Sequence, residues 1–138
     1  MLAPFPLNPI LPAQDGPRAE AFYRDVLGLE QVSPPGADPM AFTAGNGTMI
    51  VLSEIRDRVP PDYPVVAFLV TGIEGLVAGL TARGVAFLDA TPSSFAGTQG
   101  TISGGGKVID YGPVKSTWLR DSEGNVLALN EIVAPAGS

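Results

Sequence analysis

The chain has 138 residues, a formal net charge of −6, a pI near 4.4, and neither cysteine nor histidine. Those absences exclude disulfides, thiolate nucleophiles, Cys- or His-ligated metals and imidazole acid–base chemistry, leaving only oxygen donors for a hard cation. Eight basic residues that form no cluster argue against a nucleic-acid partner, because a phosphate backbone is held by grouped Lys and Arg.

No apolar run approaches the roughly 18–20 residues that span a bilayer. The start, Met1-Leu2-Ala3-Pro4-Phe5-Pro6, lacks a basic segment followed by an apolar one. The expectations are no membrane partner and a cytoplasmic location. Hydrophobic residues at 45% and charged residues at 16% fit one folded domain over 1–138, or two small repeats sharing a core.

Residues 7–13 read as an extended segment whose prolines suit an edge strand. Asp15-Gly16-Pro17 is a helix start, with a capping carboxylate ahead of proline. Ala19, Phe22, Tyr23, Val26 and Leu27 then fall on one helix face, and Gly28 ends it. Residues 29–33 and 39–43 are predicted strands. Gly45-Asn46-Gly47 is a turn leading into a stronger strand over 48–55.

Residues 56–64 are charged and proline-rich, as a linker would be. The pattern then repeats. Residues 65–70 form an apolar strand, and Thr71 is the expected N-cap of a second helix marked by Ile73, Leu76, Val77 and Leu80. Gly84 ends that helix, and residues 85–88 return as a strand. The glycine-rich stretch 91–113 reads as a long loop, or as a loop holding one poorly patterned strand. Its segment 94–107 is a candidate mobile lid. Ser103-Gly104-Gly105-Gly106-Lys107 is not a phosphate loop, because Thr101 stands where that motif needs glycine and Val108 where it needs Ser or Thr. Residues 114–121 and 126–132 form a hairpin around Asp121-Ser122-Glu123-Gly124-Asn125.

The chain is therefore α+β, with two weakly similar halves over 7–55 and 65–132. Each half is too small to bury a stable core alone. Period-two alternation sorts the strand residues by face. Val126, Ala128 and Asn130 share one face with Ser116, Trp118 and Arg120 across the hairpin, while Leu127 and Leu129 turn towards the helix. Val65, Ala67 and Leu69 follow the same face in the second half, as do Asn8, Ile10, Met49, Val51 and Ser53 in the first.

Ala21-Phe22-Tyr23-Arg24-Asp25-Val26-Leu27-Gly28-Leu29, Leu80-Thr81-Ala82-Arg83-Gly84-Val85 and Asp121-Ser122-Glu123-Gly124-Asn125-Val126-Leu127 resemble the glyoxalase/bleomycin-resistance/dioxygenase (vicinal oxygen chelate) superfamily. The resemblance runs over about residues 7–132. It implies two βαβββ modules whose curved mixed sheets enclose a central cavity, often in a homodimer. In metal-using members, His or Glu on the first and fourth strands of each module ligate the ion. Spacing carries those positions to Asn8, Val51, Val65 and Ala128. Three of these are hydrocarbon. Glu54 and Glu131 lie close by, but Glu131 is three residues past Ala128 and so faces the other way.

The expectation is thus no metal, no cofactor, and a small organic ligand. The candidate ligand-binding residues are Asn8, Met49, Val51, Val65, Ser116, Trp118, Arg120, Ala128 and Asn130. Trp118 would stack on a planar group and Arg120 would clamp a carboxylate, unless it pairs with Asp121 or Glu123. Asp110 and Tyr111 could close over the ligand. The expected function is metal-free binding, for sequestration or self-resistance as in bleomycin-type antibiotic resistance. The alternative is a lyase, isomerase or dioxygenase-type enzyme with a non-standard site.

Overall fold

The structure is a computed structural model and describes residues 1–90 and 100–133. It divides into two compact units, Met1–Val59 and Pro60–Ser138, with the break inside the proline-rich stretch.

The first unit is a four-stranded sheet beside one helix. Its elements are β1 (Ile10–Ala13), α1 (Gly16–Ala21), β2 (Glu30–Gln31), β3 (Met40–Thr43) and β4 (Met49–Glu54). The strand order is β1-β4-β3-β2, with β1 parallel to β4 and the other pairs antiparallel. Asp15 caps α1 as expected, its Oδ1 accepting from Arg18 N at 3.1 Å. A π-helical turn over Phe22–Val26 continues the helix. That face carries Ala19 and Tyr23, both fully buried, and the Tyr23 ring lies 5.8 Å from that of Phe42 on β3. Leu11, Met40, Phe42, Ile50 and Leu52 complete the buried face. Alternation puts Ile10, Met49, Val51 and Ser53 on the other one, half-buried or exposed.

The second unit contains β5 (Pro64–Leu69), α2 (Ile73–Ala82), β6 (Ala86–Phe87), β7 (Thr101–Ser103), β8 (Val108–Asp110), β9 (Val114–Arg120) and β10 (Val126–Ile132). Its sheet runs β5-β10-β9-β8-β7, with β6 also pairing β9. The parallel β5·β10 pair repeats the β1·β4 pair of the first unit. The expected hairpin register is present: Ala128 faces Trp118, Asn130 faces Ser116 and Val126 faces Arg120.

Three local readings need correction. Thr71 is not the cap of α2. The N-cap is Gly72, at φ 68°, a left-handed conformation that a β-branched threonine would adopt only under strain. The cap's acceptor comes from β10 instead: Glu131 takes hydrogen bonds from Gly72 N and Ile73 N. The stretch 91–113 is not a plain loop. It holds two strands, β7 and β8, paired through Ile102–Ile109, with Gly104 to Gly106 forming their connection. Its glycines mask the strand signal because they interrupt the apolar alternation. The strand expected over 29–33 is shorter, at Glu30–Gln31. The candidate lid 94–107 falls in part outside the described residues.

Candidate functional site

The second sheet brings one row of side chains across five strands. Register places Leu69, Asn130, Ser116, Ile109 and Ile102 side by side on β5, β10, β9, β8 and β7. The neighbouring row is Ala67, Ala128 and Trp118. Ser116 and Asn130 of the first row and all three residues of the second border a concavity of about 370 Å³. Ser116, Trp118, Ala128 and Asn130 form its floor, and Val65 and Ala67 form one side with Pro64 and Val66. No lining residue is charged.

Trp118 is 2% exposed, yet it borders the concavity. Its surroundings are Ala90, Ile109, Val126 and Ala128, with Leu88 and Tyr111 against them. No residue of α2 belongs to that cluster, so Trp118 is not packed beneath the helix. The main chain at Trp118 is also held by the residue after β6, since Leu88 N donates to the Trp118 carbonyl at 2.9 Å. At 2% exposure the indole offers the concavity only a small part of its surface, so it can touch a ligand there but presents no open face for stacking.

Beside it, Ser116 Oγ donates to Asn130 Oδ1 at 2.8 Å. This is the polar part of the concavity. Asn130 is also anchored by its backbone, whose carbonyl accepts from Val70 N.

Sequence reasoning named Tyr111 only as a residue that could close over a ligand and missed that it packs against the hydrophobic cluster of Trp118. Its hydroxyl is buried and has no hydrogen-bond partner among the described residues, and burial pushes the phenol above its ordinary value of 10.0. The signal was its parity with Ile109, obscured by Gly112-Pro113.

Arg120 does not contribute to the concavity. Its Nη2 pairs with Asp62 at 2.8 Å and its Nη1 donates to the carbonyl of Gly124 at 3.0 Å, tying the proline-rich stretch to the hairpin. The partners weighed from sequence, Asp121 and Glu123, lie on its own hairpin, whereas Asp62 is 58 positions away. Asp121 instead accepts from Glu123 N and from both nitrogens of Asn125, which closes the hairpin turn.

Asn8, Met49 and Val51 belong to the first unit. Asn8 is exposed, just before β1, while Met49 and Val51 are half-buried on β4. Val51 N donates to Pro9 O at 3.0 Å, so Asn8 precedes the first hydrogen bond between these strands.

The four positions that the resemblance assigns to metal ligands are thus Asn8, Val51, Val65 and Ala128. Three offer only hydrocarbon, so this donor set does not fit a divalent ion. The nearby carboxylates are otherwise engaged: Glu54 pairs with Arg56 at 3.0 Å, and Glu131 caps α2. Among the described residues no group of three or more Asp and Glu could hold an ion.

Residues 7–43 match the family model described as bleomycin resistance protein-like N-terminal. No curated protein matches the chain. Solved structures match along nearly its whole length. A protein assigned to the glyoxalase family from Bacillus anthracis is 19% identical at a TM-score of 0.68, covering 94% of this chain and 96% of that one. Lactoylglutathione lyase from Agrobacterium tumefaciens is 21% identical at a TM-score of 0.60, covering 91% and 92%. The oxidase ChaP-H2 is 22% identical at a TM-score of 0.62, covering 97% of each chain. At these identities the structural likeness establishes the fold. Proteins that share this fold thus include one named a lyase and one named an oxidase, and function must be argued from this chain's own side chains.

Proposed function

We propose that the chain is a member of the glyoxalase/bleomycin-resistance/dioxygenase superfamily and that it binds a small, partly apolar organic molecule without a metal. One observation carries the reading. The second unit presents an uncharged concavity bordered by Trp118 and by Ala128, one of the positions that the resemblance assigns to a metal ligand. An apolar lining with a few polar groups is the usual make-up of a small-molecule pocket. The hydrocarbon at Val51, Val65 and Ala128 weighs against the enzymatic alternative, because a metal-dependent lyase or dioxygenase must coordinate its ion.

Sequestration of a drug or metabolite is the role such a site suits. Binding alone does that job, and no nucleophile, general base or electron carrier is required. A homodimer remains part of the proposal and is checked by light scattering.

The test is a titration of the single tryptophan's emission against a panel of aromatic natural products and drugs, with elemental analysis of the purified protein. Saturable changes in Trp118 emission together with metal content far below one ion per chain support the reading. One equivalent of tightly held zinc, iron, manganese or nickel overturns it.

A further inference from the structure

The polar chemistry of the concavity narrows what it can hold. Ser116 is 4% exposed, and its hydroxyl proton is committed to Asn130 Oδ1. The oxygen of Ser116 keeps acceptor capacity, and Nδ2 of Asn130 has no partner among the described residues. Two adjacent groups therefore remain: an amide donor and a hydroxyl acceptor. They sit in the row next to Trp118 and Ala128.

The electrostatics point the same way. The lining holds no charged residue. The cations nearest in sequence are already paired, Lys115 with Glu74 and Arg120 with Asp62, each at 2.8 Å. Bringing a carboxylate, phosphate or ammonium here would strip its water without a counter-charge. A neutral group that both accepts and donates meets no such cost and satisfies both protein atoms.

Resting on the reading of this concavity as a ligand site, we infer that its ligand is an uncharged planar molecule carrying an amide-like edge, a carbonyl beside an N–H. The ring packs on the lining that Trp118 shares with Ala128 and Ala67, and the edge is read by Asn130 Nδ2 and Ser116 Oγ. Anionic and cationic counterparts of the same ring are discriminated against by the missing counter-charge rather than by shape.

Three probes of one shape test this: 2-naphthamide, 2-naphthoate and 2-naphthamidine. Affinity is measured by ligand-observed NMR. The indole N–H resonance of Trp118, the only one the chain can give, reports the site of binding. The expected result is a shifted indole resonance with 2-naphthamide, and binding on the order of tenfold tighter than for either ion, the ratio that one satisfied hydrogen bond supplies. Naphthoate or naphthamidine binding as tightly as the amide, with the indole shifted, overturns the inference and leaves the ligand-site reading standing. If no probe shifts the indole up to its solubility limit, the ligand-site reading falls and the inference with it.

Asn130→Asp, nearly the same shape, is expected to invert the order of amide and amidine. An unchanged order overturns the role given to Asn130. Thermal unfolding verifies that the variant is folded, and Ser116→Ala, expected to weaken only the amide, supplies an independent check. The ranking of the three probes on the unmodified protein decides the inference even where a variant fails to fold.

Discussion

The carboxylate of Glu131, near the end of the last strand, caps a helix that begins 58 positions earlier, accepting from Gly72 N at 2.7 Å and from Ile73 N at 3.3 Å. Two of the donors left open by the helix start are met by a strand side chain, and its negative charge complements the helix dipole. Thr71, the capping candidate by sequence, makes no such contact. Glu131→Ala is expected to lower stability by about 1–2 kcal/mol, the range for losing a cap. Thr71→Ala is expected to stay within about 0.5 kcal/mol, as at an ordinary surface site. Urea denaturation of both variants checks the contrast, and equal losses would mean that threonine carries the cap after all.

In the first unit Glu20 ties α1 to the following loop. Its Oε2 accepts from Gly36 N and from Gln31 Nε2, each at 2.9 Å. The Gly36 hydrogen bond, then that from Gln31, holds the carboxyl below its ordinary value of 4.5. A depressed carboxyl stabilises the folded state above its unfolded value and loses that contribution as pH falls through the folded one. Wild type is therefore expected to outlast Glu20→Gln at pH 6–7, and their denaturation midpoints should converge below about pH 4. A gap that widens on acidification contradicts this assignment.

The unpartnered hydroxyl of Tyr111 should make its removal harmless. Burying a donor without an acceptor costs about 1–3 kcal/mol. Tyr111→Phe keeps the ring against the Trp118 cluster and deletes the unsatisfied group. The variant is expected to be at least as stable as the parent in urea denaturation. A loss above about 1 kcal/mol would reveal a hydrogen bond to that oxygen.

Trp118 serves both the hydrophobic cluster and the concavity, so its variants must be chosen with care. Trp118→Ala is expected to cost about 3–5 kcal/mol, as large-to-small changes in a core do. Trp118→Phe retains most of the packing and suits binding work better. In the parent protein the indole, at 2% exposure, should emit at short wavelength and resist quenching by iodide. Emission typical of a hydrated indole would place the ring outside the cluster.

The order of elements outside residues 91–113, the start of α1 at Asp15, the glycines that end the helical segments and the face shared by Ser116, Trp118, Ala128 and Asn130 were all legible in the sequence. Each follows from rules that act over a few residues: alternation, helical periodicity, capping and turn chemistry. Hairpin register belongs to the same class, because a short turn leaves its two strands little freedom to slip.

Other features arise from residues far apart in the chain, and no local pattern announces them. The tertiary structure alone decided that Arg120 is held by Asp62 rather than offered to a ligand, and that Glu131 caps α2. It alone paired β7 with β8 across three glycines and set Tyr111 against Trp118. Composition and strand position determined that hydrocarbon stands at Val51, Val65 and Ala128, three of the positions that the resemblance assigns to metal ligands. Which polar atoms remain open beside Trp118 was decided by long-range pairing, because a donor is free only after the folded chain has chosen its partners.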